Sequence, residues 1–73
     1  MTMRHYEHLA EQLTLLMEER GLSCAELARR TGIASTTLRR VRNGRHDTLS
    51  TRSLLALSNV FEIPLAELID RFS

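Results

Sequence analysis

The chain has 73 residues, which is too short for two independently folded domains and allows one small hydrophobic core at most, so we expect a single domain. Its only cysteine, Cys24, excludes an intramolecular disulfide and a cysteine-rich metal site. The formal net charge of +1, taken over the whole chain, argues against a nucleic-acid partner. The charge is unevenly distributed, however, because residues 29–52 contain seven arginines and one acidic residue, whereas both flanking segments are acidic.

Neither a membrane span nor a secretion signal is recognisable in the sequence. No apolar run approaches the roughly 20 residues that cross a bilayer. The N-terminus lacks an apolar segment followed by a small-residue cleavage site. A single free cysteine is also typical of a reducing compartment. We therefore expect a cytoplasmic protein without a membrane partner.

The first predicted helix covers residues 4–20. Its apolar residues recur at the spacing of one helical face and are Tyr6, Leu9, Ala10, Leu13, Leu16 and Met17. Gly21 is expected to end this helix, since glycine readily adopts the left-handed conformation. Leu15 points away from the apolar face, and it is either an ordinary exposed leucine or part of a contact with a partner.

A short second helix is predicted over residues 23–31. Ser23 and Glu26 have the Ser-x-x-Glu spacing of a capping box, which indicates where the helix begins. Gly32 follows the last helical residue and is expected to end it. A helix of this length is unstable alone in water, so packing against its neighbours must stabilise it.

The third predicted helix, over residues 35–43, has two different faces. Placing its residues at 100° intervals gives a core face of Ala34, Thr37, Leu38 and Val41. The opposite face carries guanidinium groups and small polar side chains, namely Ser35, Thr36, Arg39, Arg40, Arg42 and Asn43. Gly44 is expected to end this helix.

Two more helices are predicted over residues 51–60 and 64–72, with Ser50 as the N-cap of the first. The last helix has an apolar stripe of Leu65, Leu68, Ile69 and Phe72. Either this whole stripe is core, or part of it joins Phe61 or Ile63 in the surface of a two-fold dimer. No segment shows sustained β alternation, so we expect an all-α fold of five short helices around one core.

The second and third helices form the most informative part of the chain. A short helix, a glycine turn and a further helix make a helix-turn-helix arrangement. The second of these helices has about the right width for the DNA major groove, where its N-terminal residues can reach base edges. Because its exposed face coincides with the basic segment, we expect this face to contact double-stranded DNA rather than to be merely solvated.

Several short motifs follow one another between Leu13 and Leu68. They are Gly21-Leu22-Ser23, Ala25-Glu26-Leu27-Ala28, Thr31-Gly32-Ile33, Thr37-Leu38-Arg39-Arg40-Val41, Asn43-Gly44, Leu54-Leu55-Ala56-Leu57 and Ile63-Pro64-Leu65-Ala66-Glu67-Leu68. In this order and spacing they resemble the Cro/C1-type (Xre-like) helix-turn-helix proteins of phage repressors and bacterial regulators. The resemblance implies a compact five-helix, lambda-repressor-like fold that binds operator DNA, usually as a homodimer on a two-fold-symmetric site.

The same resemblance implies roles for individual residues. Ser35, Thr36 and Arg40 match positions that read bases. Arg39 matches a neighbouring position that reads bases or touches phosphate. Asn43, Gly44 and Arg45 match positions that meet phosphate near the end of the third helix. Arg42 does not match the family at its position and is expected to add phosphate affinity through its charge. A further phosphate contact is expected from Ser50 and Thr51. The last two would do so through backbone N–H groups at the start of the fourth helix.

Two departures from the family pattern concern side-chain partners. Cys24 stands where the family usually has a glutamine that holds phosphate. Since a thiol is a poor donor, we expect that contact to be lost or moved. Met17 and Arg42 stand where the family usually has an arginine paired with a glutamate. This change is expected to leave Arg42 free to face solvent or DNA.

Two further departures concern helix ends. Ala34 occupies a position usually filled by a capping Ser or Thr, so that Ser35 becomes a candidate cap and would then be unavailable for bases. Glu62 replaces the customary glycine after the fourth helix. We expect the turn at this point to be built differently from that of the family.

These observations predict a sequence-specific DNA-binding transcriptional regulator, a repressor acting as a homodimer. The alternative is a DNA-binding antitoxin that neutralises a toxin protein, which an exposed apolar patch around Leu15 or Phe72 would favour. A third possibility is a helical module that binds protein alone.

No catalytic pattern is recognisable, so we expect no enzyme. His5, His8 and Glu11 lack a fourth ligand, so we expect no metal and no other cofactor.

Overall fold

The fold consists of five helices in the part of the chain that the structure describes. This structure is a computed structural model that covers residues 3–45 and 49–73, with side chains described for 7–45 and 49–73. The helices are α1 (Met3–Glu19), α2 (Cys24–Thr31), α3 (Ser35–Arg42), α4 (Thr51–Phe61) and α5 (Leu65–Phe72). These ranges contain no strand. The all-α, five-helix fold expected from the sequence is therefore confirmed.

One cluster of buried apolar side chains joins all five helices. Its members are Leu9, Leu13, Leu16, Met17, Cys24, Leu27, Ile33, Leu38, Val41, Leu57, Phe61, Ile63, Leu68 and Phe72. α3 packs against α1 and α2, while α5 packs against α1 and α4. The apolar face predicted for α1 supplies four members, and Tyr6 of that face lies outside the described side chains. The core thus holds α3 by one face and leaves its other face exposed.

Two long-range hydrogen bonds to helix ends complement this packing. Arg20, just after α1, donates from Nη2 to the carbonyl oxygen of Phe61 at 2.6 Å, and its guanidinium carbon lies 5.4 Å from the centre of the Phe61 ring. His8 Nε2 lies 2.8 Å from the carbonyl oxygen of Arg71, to which it can donate. Both bonds satisfy carbonyl groups in the last turn of a helix, which have no partner within the helix. They tie α1 to the C-terminal ends of α4 and α5.

The turn after α4 differs from the sequence-based expectation. Glu62 has φ 58° and ψ 41°, the left-handed conformation that glycine usually supplies. Its N–H and that of Ile63 both donate to the carbonyl of Ser58. The expectation that this turn is built differently is therefore wrong. Glu62 adopts the glycine conformation because the two hydrogen bonds and the burial of Ile63 compensate for a strain of about 1–2 kcal/mol.

The apolar stripe of α5 is only partly buried. Leu68 and Phe72 lie in the core, whereas Ile69 is 44 % exposed and Leu65 is half-buried. Phe61 and Ile63 are also core residues, so the alternative that placed either of them on a dimer surface is wrong. Burial of Phe72 likewise removes it from the apolar patch considered for a toxin partner. The physical reason is that α5 packs this side against α1 and α4.

Candidate nucleic-acid interface

The turn between α2 and α3 is built from local hydrogen bonds and one buried side chain. Gly32 has φ 81°, and its N–H donates to the carbonyl of Ala28 at 2.8 Å. The Thr31 hydroxyl donates to the Leu27 carbonyl and accepts from the N–H of Ile33. Ile33 then enters the core. These contacts fix the direction in which α3 leaves α2.

α3 separates its residues into a buried and an exposed face. Leu38 and Val41 are fully buried, and Thr37 is half-buried. The exposed residues include five of the predicted site residues, namely Thr36, Arg39, Arg40, Arg42 and Asn43. Ala34 is exposed, so its assignment to the core face is wrong, because it precedes the first helical turn. The exposed face presents polar and cationic groups on a regular helix.

The start of α3 has no side-chain cap. Ala34 occupies the N-cap position, and Ser35 is the first helical residue. The alternative in which Ser35 caps the helix is therefore wrong, and its half-buried hydroxyl makes no hydrogen bond with another described residue. The first-turn N–H groups consequently have no side-chain acceptor. This end of α3 keeps its capacity to donate to an external acceptor.

Arg42 contacts α2 through Cys24. Its Nη1 donates to Cys24 Sγ at 3.3 Å, and the cysteine is 7 % exposed. The expectation that Arg42 is free to face solvent or DNA is thus only half right, since its side chain is exposed yet tied to α2. The thiol acts here as a weak acceptor for the guanidinium group. One edge of the guanidinium is used in this contact, and the remaining N–H groups are available to a ligand.

Glu26 limits how much of the basic segment is available. Ser23 Oγ accepts from the N–H of Glu26, as predicted, but the Glu26 carboxylate pairs with Arg29 and Arg30 instead of completing the capping box. The hydrogen bond from Arg29, followed by its charge and by the corresponding effects of Arg30, lowers the pKa of Glu26. The positive charges of Arg29 and Arg30 on α2 are therefore partly neutralised. The positive field is concentrated further along the chain.

Four of the unneutralised arginines lie on α3 and in the turn that follows it. Arg39, Arg40, Arg42 and Arg45 form no ion pair with any carboxylate that the structure describes, and all four are exposed. Asn43 and Gly44 continue the chain from α3 with N–H groups bonded to the carbonyls of Arg39 and Val41. Residues 46–48, which include the one acidic residue of the basic segment, lie outside the described residues.

The start of α4 contributes a further set of polar groups. Ser50 Oγ accepts from the N–H of Ser53, so this hydroxyl caps the helix. Thr51 is exposed in the first turn. Arg52, which the sequence reasoning did not single out, is also exposed and unpaired with any described carboxylate. A cation in the first turn opposes the helix dipole, so Arg52 is a surface charge that α4 itself does not require. Its position within the basic segment, residues 29–52, is the sequence feature that could have identified Arg52 as part of this surface.

These features define a helix-turn-helix domain with one helix presented to the outside. The family model described as the Cro/C1-type HTH DNA-binding domain matches residues 12–72, and the chain belongs to this family. No curated protein and no solved structure matches the chain. The resemblance inferred from the sequence motifs is confirmed, and the family makes this chain a DNA-binding transcription regulator whose partner is double-stranded DNA.

Two other kinds of site are not found among the described residues. No group of three or more His, Cys, Asp and Glu side chains is placed to hold a metal ion there, and His5 lies outside the described side chains. No helix of the described chain is long and apolar enough to cross a membrane.

Proposed function

We propose that the protein is a sequence-specific repressor that binds a two-fold-symmetric operator as a homodimer and blocks a promoter by occupying it in the cytoplasm. α3 would enter the major groove, with half-sites about 34 Å apart. The observation that carries this proposal is the exposed face of α3, on which Arg39, Arg40 and Arg42 are unpaired with any described carboxylate. An arginine-rich helix face of this kind matches both the phosphates and the guanine edges of the groove.

The proposal assigns two kinds of contact to the exposed residues. Base reading falls to Thr36, Arg39 and Arg40 on the exposed face of α3 and to the half-buried Ser35 in its first turn. Phosphate contacts fall to Arg42, Asn43, Arg45, Ser50 and Thr51. Gly44, whose N–H donates to the Val41 carbonyl, would let the backbone approach the phosphate closely. Since the Ser50 hydroxyl already caps α4, this residue and Thr51 would act through backbone N–H groups. Arg42 would act through the guanidinium edge that Cys24 leaves open.

Binding of random-sequence duplexes tests the DNA contact itself. Fluorescence anisotropy of a labelled duplex should report binding at about 50 mM salt that weakens steeply at about 200 mM, because each neutralised phosphate contributes about 0.9 to the slope of log affinity against log salt. A protein that is folded by circular dichroism but shows no binding at the lower salt concentration would overturn the proposal. That result, in a folded oligomer, would favour a module that binds protein alone.

The proposed dimer uses α5. Ile69 is exposed on this helix beside the buried Leu68, and the half-buried Leu65 lies one turn before it. The side chains of Leu65 and Ile69 form an apolar pair on one face of α5, and this pair would be the centre of an isologous contact, in which both copies use the same residues. The proposal requires this contact to set two copies of α3 about one helical turn of DNA apart.

A second candidate function is that of a DNA-binding antitoxin. The observation that favours it is the 46 % exposure of Leu15 on α1, outside the face that packs into the core. The test is the gene beside that of this protein. A neighbouring product that arrests growth alone, and no longer does so when this protein is co-expressed, would support the antitoxin function. A neighbour without any effect on growth would contradict it.

A further inference from the structure

An open groove runs between α1 and the end of α3. Its volume is about 600 Å³. One wall is the side of α1 that carries Glu7, Glu11, Leu15 and Glu18, and the other wall consists of Arg42, Asn43 and Gly44. The α1 residues recur every three or four positions, so they form one continuous helical face. This face spans about 16 Å, or three helical turns, from the first glutamate to the last.

The charges on this face are arranged for a cationic ligand. Glu7, Glu11 and Glu18 are exposed, and none of them forms an ion pair with another described residue. They repel phosphate, so the face is unsuited to DNA. Leu15 lies between the second and third glutamates and is 46 % exposed. Arg42 on the opposite wall is the one cation among the lining residues, so the lining carries a net charge of −2. An apolar side chain flanked by two glutamates, with a third two turns away, matches a helix that presents one apolar residue among several basic ones.

We propose that this groove docks a cationic amphipathic helix of another protein. The partner helix would lie along α1, cover Leu15 with an apolar side chain and place lysine or arginine residues opposite the three glutamates.

The position of the groove also couples this partner to DNA. Its far wall is formed by Arg42, Asn43 and Gly44, which the proposed function assigns to phosphate contacts. A helix in the groove would occupy the space beside these residues. Partner and DNA therefore exclude each other, a consequence that rests on the proposed function, whereas the docking itself does not.

The docking is tested with a labelled amphipathic peptide of leucine and lysine, about five helical turns long, and with a leucine–glutamate peptide of the same pattern. Anisotropy should show binding of the first peptide only. The double variant E11K/E18K should bind it at least about tenfold more weakly, since two attractive charges become repulsive. The variant E67K/D70K has the same net charge change on the exposed side of α5, and its binding should change less than about threefold.

A second pair of variants separates the groove from general surface stickiness. Leu15→Ser should weaken peptide binding at least about threefold, while Leu55→Ser, at a leucine of similar exposure on α4, should leave it unchanged. Circular dichroism checks that each variant is folded. No binding of the lysine peptide, or equal effects within either pair of variants, would overturn the proposal. Self-association of the wild type that Leu15→Ser abolishes would assign the groove to a second copy and overturn it equally.

Exclusion of DNA is measured by repeating the duplex titration in the presence of the lysine peptide. The peptide also binds DNA directly, and this effect is the same for wild type and Leu15→Ser. The apparent Kd for DNA should rise at least about threefold more for the wild type than for Leu15→Ser. Equal rises of the apparent Kd in the two proteins would overturn the claim that peptide and DNA exclude each other. A wild type that binds the peptide but no DNA would contradict the proposed function and leave the docking intact.

Discussion

Arg40 and Arg45 occupy different kinds of position on the DNA-facing surface. Arg40 projects from the outer face of α3, and Arg45 follows the end of that helix. A guanidinium group that reaches guanine O6 and N7 contributes roughly 1–3 kcal/mol of discrimination, whereas one that contacts phosphate contributes affinity for any sequence. Removing the two side chains is therefore expected to have different effects on DNA binding. Loss of Arg40 should reduce sequence discrimination, and loss of Arg45 should reduce affinity for every sequence.

We predict that Arg40→Ala loses most of the preference for the specific site over random DNA, while Arg45→Ala weakens both by a similar factor. Arg45→Ala should also reduce the salt slope by about 0.9. Anisotropy titrations on a specific and a random duplex at several salt concentrations measure both effects. If the two variants weaken all sequences equally, the base-reading role of Arg40 is wrong.

Glu62 adopts a left-handed backbone conformation that is unfavourable for a residue with a side chain. The expectation of a different turn failed because it considered the residue alone. The two N–H groups that reach the Ser58 carbonyl and the burial of Ile63 favour the left-handed turn over any other conformation. These are properties of the assembled core, and the sequence around Glu62 does not reveal them.

We predict that Glu62→Gly raises the free energy of unfolding by about 1 kcal/mol, since glycine adopts this conformation without steric strain. Glu62→Ala retains the strained backbone and should give no comparable gain. Urea unfolding of both variants measures the difference. Equal stabilities of the glycine and alanine variants would show that the left-handed turn carries no strain worth relieving.

At the scale of the helices, the sequence was a good guide to position and a poor one to surface pairing. Apolar residues at helical spacing, together with the capping residues and glycines at helix ends, indicated all five helices. The apolar spacing is informative because a short helix that is unstable alone gains most of its stability from burying a continuous apolar face. The partners of the Glu26 carboxylate, in contrast, could not be predicted from the sequence. Ser23 and Arg30 both lie within reach of its carboxylate, and exposed contacts of this kind differ little in free energy because water screens them. Only the structure shows that the carboxylate turns towards the arginines.

The pairing on α2 predicts a pH-dependent contribution to stability. Because Arg29 and Arg30 lower the pKa of Glu26 below its ordinary value of 4.5, the unfolded chain binds this proton more readily than the folded one. The contribution is present above pH 4.5 and is lost as the pH falls through the lowered pKa. We predict that the stability difference between wild type and Glu26→Gln shrinks as the pH falls below 4.5.

Urea unfolding at a series of pH values measures this difference. In the double variant R29Q/R30Q, Glu26 has lost both partners, and a further Glu26→Gln change should then show little dependence on pH. A wild-type advantage over Glu26→Gln that stays constant down to about pH 3 would contradict the assigned pairing.

Basic and acidic side chains lie on different surfaces of the molecule. The net charge of +1 concealed a basic middle segment, and the structure narrows this segment to α3, the turn after it and the first turn of α4, since Glu26 neutralises part of α2. The groove between α1 and α3 was not predictable from the sequence. Its two walls come from segments far apart in the chain, and their approach depends on how the core packs α1 against α3.

Dimerisation is the second property of the whole molecule. Ile69→Glu places a charge at the centre of the proposed contact, and burying an unpaired carboxylate is strongly unfavourable. We predict that it weakens the dimer at least about tenfold and weakens DNA binding with it. Leu55→Glu, which adds the same charge at a leucine exposed on α4, should leave the dimer intact. Sedimentation equilibrium and the duplex titration provide the two measurements, and equal behaviour of the two variants would rule out Ile69 as part of the dimer surface.

Selection of bound sequences from a random duplex pool tests the central claim most directly, because one measurement reports both specificity and symmetry. Recognition by a homodimer predicts an enriched motif of two inverted half-sites whose centres lie about one helical turn apart. Each half-site should contain at least one guanine whose substitution is tolerated by Arg40→Ala. A pool that retains no sequence preference, or a motif without two-fold symmetry, would contradict recognition of an operator by a homodimer.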